Sequence, residues 1–451
     1  MASTKYEEKL STDNMIKLVF KMAIPSVAAQ VVNLLYSIVD RIYIGHIPNI
    51  GTNALAGVGV TNSIIILIAA FAQIVGGGGG PLATIALGKG DRKRAEKILG
   101  NGFFLLIFFA ISASVVTYIF MNPILMTVGA SSNTITYAAQ YLSTYLLGTI
   151  FVMMAMGLNT YISAQGRPGI AMLSVIIGAV VNIILDPIFI YVFELGVKGA
   201  AIATIISQCL SALWVLKFLF SQKASLQIKM CYIKPDFRII GSMVSLGIAP
   251  FIMASTESLI GFVMNGTLSK YGDIYVSALT VMQSAMQIIS VPIGGFSQGF
   301  IPIVSYNYGH KNMDRVKQCF KITAVVMVSF NFIGTLLIII FPKVVAAIFT
   351  KDVLLINKVS EMMMIFLAGM TIFGLQRECQ SMFLALGQAK VSLFIALLRK
   401  VFLLVPLVLI LSKFMGVTGV FAAESIADAT AAILCTIIFC FKFPKILKAN
   451  K

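Results

Sequence analysis

Six carboxylates of this 451-residue chain stand within long apolar stretches: Asp40, Asp186, Glu257, Glu378, Glu424 and Asp428. A charged side chain at the middle of a bilayer costs about 2.5 to 3.5 kcal/mol even on the lenient insertion scale, so each must face a cavity or a partner. The basic residues at comparable positions are Arg41, Arg377, Arg399 and Lys400. In VVNIILDPIFIY, Asn182 and Asp186 are four apart and share one helix face. Pro187 has no N–H for the carbonyl of Ile183, which frees an oxygen beside them and bends the helix. Ala200 and Thr204 form a second pair four apart, and Asp40 comes late in the first apolar run. Together these groups offer two carboxylates, an amide, a hydroxyl and free carbonyls. A hard cation takes such an all-oxygen shell, and Na+ would find ligands in Asp40, Asn182, Asp186 and Thr204. The same carboxylates, withdrawn from water and close together, could equally take protons. In the second half, Glu257, Glu378, Arg399, Glu424 and Asp428 are candidates for the substrate cavity or a second acidic site. Glu424 and Asp428 are one turn apart and should share the cavity-facing side of their helix, where they would attract substrate. A buried ion pair that only fixes helix register is the alternative for any one of them.

The elements that must hold these residues follow from composition. Hydrophobic residues make up 59% of the chain and charged residues 11%, with mean hydropathy +0.95. A soluble domain carries roughly 25% charged residues, so this is a polytopic membrane protein in contact with the lipid bilayer. A spanning helix needs about 20 mostly apolar residues. Twelve such stretches occur, near 17–41, 54–75, 98–120, 136–160, 168–192, 199–220, 238–267, 274–298, 318–341, 357–386, 391–413 and 416–441. The polar N-terminus is not followed by a short apolar core with a small-residue cleavage site, so no removable signal peptide is expected.

The net charge is +17, and its distribution sets topology. With the N-terminus inside, cytoplasmic connections carry most of the Lys and Arg, including Lys89, Arg92, Lys93, Arg94 and Lys97. The opposite side holds only Lys198, Lys270, Lys343, Lys351, Lys358 and Lys413. This asymmetry puts both termini in the cytoplasm of a multi-pass protein of the inner (plasma) membrane. The basic excess is thereby a topology signal, and no nucleic-acid partner is expected. Six cysteines and two histidines, His46 and His310, show no disulfide or zinc spacing. With no histidine or serine–histidine pairing in any span, the chain does not read as an enzyme and calls for no cofactor beyond a coupling ion.

The chain is written twice. Pro81, Gly88, Arg94 and Gly166 recur as Pro302, Gly309, Arg315 and Gly387 at a displacement of 221 positions. GVKGAAIA at 196–203 returns as GVTGVFAA at 416–423. An even number of spans per repeat keeps the same orientation, so the expectation is an all-α membrane protein of two six-helix lobes related by a pseudo-two-fold along the membrane normal. The divisions are a cytoplasmic segment 1–16, an N-lobe 17–220, a basic linker 221–238, a C-lobe 239–441 and a basic tail 442–451. The glycine run of VGGGGGPLATIALGKGD lacks the Ser or Thr of a phosphate-binding loop, and its repeat mate loses most of the glycines. It reads as a place where helix 2 bends and packs closely, with a hinge or thin packing both open.

At these residues the sequence resembles the multidrug and toxic compound extrusion (MATE) family, in its bacterial-type branch, through nearly the whole chain. The resemblance is carried by AIPSVAAQVVNLLYSIVDRIYIG, GGGGPLATIALGKGDRKRAEKILGN and VNIILDPIFIYVFELGVKGAAIAT. It implies a Na+- or H+-coupled antiporter that exports amphipathic, often cationic, small molecules by alternating access, acting as a monomer. It also implies that Asp40, Asn182, Asp186, Ala200 and Thr204 form the first-lobe cation site, and that Glu257 and Glu378 are second-lobe acidic positions. Met153, Met156, Met253, Met282 and Met286 would supply adaptable cavity walls. The alternative is a lipid-linked saccharide flippase of related two-lobe form, whose pyrophosphate would need a cationic patch such as Arg377, Arg399 and Lys400.

Overall fold

In hydrocarbon every backbone N–H and C=O must bond within its own segment, so the long apolar runs become helices. The computed structural model describes residues 5–48, 50–131, 134–349 and 352–449, without the side chains of 5–8, 51–53, 257–259, 262 and 273. Lys351 and Lys451 lie outside the described residues. The first six spans are α1 (Met15–Gly45), α2 (51–88), α3 (Arg92–Ile119), α4 (Ile135–Ala164), α5 (Pro168–Val192) and α6 (Gly196–Phe220). The second six begin with α7 (Phe237–Leu268), α8 (Asp273–Gly309) and α9 (Met313–Ile340). Helix α10 is a pair, Val353–Leu367 and Met370–Ala385, bent by 47°. A continuous run Ala389–Ala449 of 61 residues is divided by Gly416, at φ 60°, into α11 (389–415) and α12 (417–449). Among the described residues every regular element is helical.

The two halves repeat at the level of individual turns. Arg92–Ile119 returns as Met313–Ile340, and the short helix Met121–Val128 as Pro342–Phe349, both displaced by the 221 positions read from the sequence. Left-handed residues return as well: Gly166 at φ 76° as Gly387 at φ 69°, and Gly90 at φ 76° as Lys311 at φ 60°. Several spans are longer than their apolar runs suggest, α2 and α8 most of all. Helix α2 continues past 75 to Gly88 and α8 past 298 to Gly309. The glycine run therefore lies inside α2, as a π-helical turn Ile74–Gly79, because a backbone between packed helices keeps its hydrogen bonds even where side chains give no helix preference.

Glycine brings the lobes together. A Cβ at Gly78 would overlap the Met243 carbonyl of α7, and one at Gly299 of α8 would overlap Ala23 of α1. Likewise a Cβ at Gly88 would run into the Tyr306 carbonyl and one at Gly309 into the Ile85 carbonyl. These contacts exchange under the repeat, so α1 packs on α8 and α2 on α7 as a pseudo-two-fold along the membrane normal requires. All four lie toward the face that carries the termini and the linker. There the connecting segments cross over: Arg315 donates to the carbonyls of Leu10 and Asp13 at 3.3 and 2.9 Å, while Lys229 of the linker pairs with Glu96 at 2.6 Å. Outward-facing Phe108, Ile111, Val115, Phe332 and Ile333 form part of the apolar exterior expected against lipid.

Candidate functional site

Between the lobes lies a cavity of about 970 Å³. Pro81 and Pro302, the repeated prolines, both line it, as do Gln30, Asn33, Gln73, Gln298 and Gln380. The glycine contacts close it at the termini face. Asp40 and Thr204 open into its N-lobe wall, with Asn182 and Asp186 fully buried behind them.

The spacing on α5 works as expected: Asn182 Nδ2 donates to Asp186 Oδ1 at 3.1 Å, and it also reaches Thr204 Oγ1 of α6 at 3.5 Å. Asp40 of α1 comes within hydrogen-bonding range of Asp186. A π-helical turn, Ile188–Val192, follows Pro187, so the helix changes pitch directly beyond the carboxylate. Ala200 is fully buried one turn before Thr204, and its small side chain lets α6 stand close to this pocket. Two tyrosines were missed by spacing on α5 and α6. Tyr36, one turn before Asp40, lies near both carboxylates, and the Tyr141 side chain of α4 stands beside Thr204. The i, i+4 relation of Tyr36 to Asp40 was visible in the sequence; Tyr141 arrives only through helix packing. Asp40 Oδ1, Asn182 Oδ1 and Asp186 Oδ2 are buried acceptors with no hydrogen-bond partner. Two buried carboxylates with three unsatisfied acceptors are costly unless a cation or protons offset them. These oxygens fit Na+ as hard ligands.

The C-lobe acids are placed differently. Glu378 is 1% exposed and accepts from Thr323 Oγ1 at 2.6 Å, with its Oε2 unpartnered. Glu424 and Asp428 do share one side of α12, but that side turns to Arg399 of α11: Arg399 Nη2 bonds Glu424 Oε1 at 3.2 Å and its Nε bonds Asp428 Oδ1. The Arg399 guanidinium also stands 4.1 Å over the Phe373 ring. None of these residues lines the cavity, which corrects the expectation of a cavity-facing α12. A guanidinium buried among apolar helices draws both carboxylates to itself more strongly than a wet cavity does. Arg399 and Lys400 both lie in the π-helical turn Leu398–Leu404 and are buried. Glu257 belongs to α7, but its side chain lies outside the described residues. Of the five methionines, Met156 and Met253 line the cavity, whereas Met153 and Met282 are core and Met286 packs against it.

Two repeated six-helix lobes around a closed-ended polar cavity, with a cluster of buried carboxylates behind one wall, define a two-lobed membrane transporter. The chain belongs to the MatE family, whose model matches residues 25–188 and 250–410, one segment in each lobe. It is similar to the multidrug export protein MepA of Staphylococcus haemolyticus, 24% identical over 425 residues that cover 94% of this chain and 93% of that one. The Staphylococcus aureus MepA is 23% identical over 428 residues with the same coverage. Among solved structures, MATE in the bent conformation matches with TM-score 0.92 at 21% identity, covering both chains fully. An outward-facing multidrug resistance MATE transporter of the MOP superfamily matches with TM-score 0.90 at 21% identity, over 99% of this chain and 100% of that one.

Proposed function

We propose that this protein is a Na+- or H+-coupled antiporter that exports amphipathic drugs or toxic compounds, acting as a monomer in the plasma membrane by alternating access of the cavity. The observation that carries the reading is the cluster of Asp40, Asn182, Asp186 and Thr204, in which Asp40, Asn182 and Asp186 each keep a buried oxygen without a hydrogen-bond partner while Asp40 and Thr204 line the cavity. Antiport needs ion and substrate to favour opposite states, since a ligand shifts an equilibrium only by its differential affinity. An ion in this pocket draws α1, α5 and α6 together beside the π-turn that follows Pro187, which changes the N-lobe wall that substrate meets. The names of the MepA relatives support multidrug export as the activity.

The test is efflux of a fluorescent drug from proteoliposomes with Na+ and pH gradients imposed separately. One gradient should drive export against a concentration difference. Asp186→Asn is nearly isosteric, should reach the membrane at normal levels, and should abolish gradient-driven export while retaining drug binding. Asp40→Asn should behave alike, and the double variant should be no worse than either, because the two act as one unit. Unimpaired uphill export by Asp186→Asn would move coupling to the second-lobe acids, led by Glu257 and Glu378.

A further inference from the structure

Asn14 caps α1 by accepting from the backbone N–H groups of Ile16 and Lys17, and from Met15 onward the helix is long and apolar enough to cross a membrane. Ile16, Phe20 and Ile24 are exposed on it, and so are Lys17 and Lys21. Intervals of four make the first three one apolar stripe and set the two lysines in a basic stripe beside it. Neither ammonium has a partner among the described residues. The nearest acid along the chain, Asp13, lies before the cap and beside Arg315. The Phe20 ring meets that of Phe296 in α8 edge to face at 6.3 Å, about one turn from the place where Gly299 backs onto Ala23. The apolar surface next to the lysines therefore belongs to both lobes. The repeat keeps this feature: Ile16 and Lys17 return at the same displacement as Phe237 and Arg238, both exposed at the start of α7 behind a second side-chain cap, Asp236.

We propose that this outer face of α1 is a binding site for an anionic phospholipid of the leaflet on the termini side. Lys17 and Lys21 hold the headgroup phosphate, while the acyl chains lie over Phe20 and Ile24 and across the seam to Phe296. A lysine stem runs along apolar surface and keeps its ammonium at headgroup level. Because the apolar stripe continues into a membrane span, the lysines stand at the bilayer surface. A lipid brings negative charge and apolar chains in the order in which the two stripes present their complements. The site rests on side chains and not on the helix end, since Asn14 already takes the first free N–H groups.

Trp214 is the only tryptophan, so a Trp214→Phe background carrying Phe20→Trp has one reporter beside the lysines. Ile24→Trp, at a more exposed position, is a second reporter. Full-length protein is placed in phosphatidylcholine bilayers that contain brominated phosphatidylglycerol or, at the same mole fraction, brominated phosphatidylcholine, and tryptophan quenching gives the relative occupancy. The brominated phosphatidylglycerol should quench more strongly. Lys17→Gln or Lys21→Gln should lower this preference about fivefold, the equivalent of about 1 kcal/mol for each basic residue at an anionic surface, and the double change should abolish it. Lys93→Gln makes the same change of charge at an exposed position of α3 on the same face and should leave the preference unchanged. An equal loss in Lys93→Gln would reduce the effect to diffuse surface charge and overturn the site. Equal quenching by the two lipids with both reporters would also overturn it, and would leave this face to an acidic protein partner that purified bilayers lack.

Discussion

Arg399 shows how one buried side chain decides the role of two others. Its guanidinium contacts Glu424, Asp428 and the Phe373 ring, with 9% of its side chain exposed. Removing one partner from such a group leaves a buried charge uncompensated, a loss of about 3 to 5 kcal/mol. Arg399→Met should therefore lower the melting temperature sharply in detergent, and Glu424→Gln should do so less because Asp428 still pairs. Replacing all three together by apolar residues should recover much of the stability, since a well-packed apolar trio avoids the desolvation of charge. The range of compounds exported should change little, as none of the three lines the cavity. A changed substrate range at unchanged melting temperature would return Glu424 and Asp428 to the substrate path. At this scale the sequence was most informative where partners share a helix. Asn182 with Asp186 and Glu424 with Asp428 were readable from an interval of four, but what each pair faces depends on which helix packs opposite. Tyr141 beside Thr204 and Arg399 beside α12 come from such packing, and no spacing within one helix announces them.

Among the elements, α2 and α8 make the closed end of the cavity. Their glycines at 78, 88, 299 and 309 touch backbone of the other lobe, so the contact is main chain on main chain. No side chain can be accommodated there by rotating away. Gly88→Ala or Gly78→Ala should keep the termini face from closing and hold the cavity open toward it, at little cost within each lobe. A cysteine at Ser381 should then be labelled from the termini side in the variant and much less in the parent, and export should fall by at least tenfold, about 1.4 kcal/mol against the closed state. Labelling and export unchanged in Gly88→Ala would show that the two helix ends separate and rejoin without this contact. The glycine run was legible as a site of close approach. Its continuation as helix was not, because five glycines carry no periodic pattern; the π-helical turn Ile74–Gly79 owes its form to packing against α7 and to the need to bond every backbone group away from water.

For the whole molecule, duplication was the strongest signal in the sequence, since proline and glycine mark turns whose backbone geometry must repeat when the fold repeats. The left-handed Gly166 and Gly387 and the matched helices Arg92–Ile119 and Met313–Ile340 follow from it. Sidedness rests on charge. Lysine and arginine crowd the face that carries the linker and both termini, and a positively charged connection resists transfer across the membrane during insertion. The exposed Lys223 in the linker and the exposed Lys343 at the start of Pro342–Phe349 are on opposite faces by the count of spans between them. In a background with the six native cysteines replaced, a single cysteine at 223 should react with a membrane-impermeant maleimide only in inverted vesicles, and one at 343 only in intact cells. The cavity would then be closed to the cytoplasm and the molecule poised to release drug outward, with the Asp40 and Asp186 pocket facing the side from which a coupling ion enters. Reactivity of position 223 in intact cells would invert the molecule. The same closed end would then face outward, and the direction of transport in oriented vesicles would have to reverse with it.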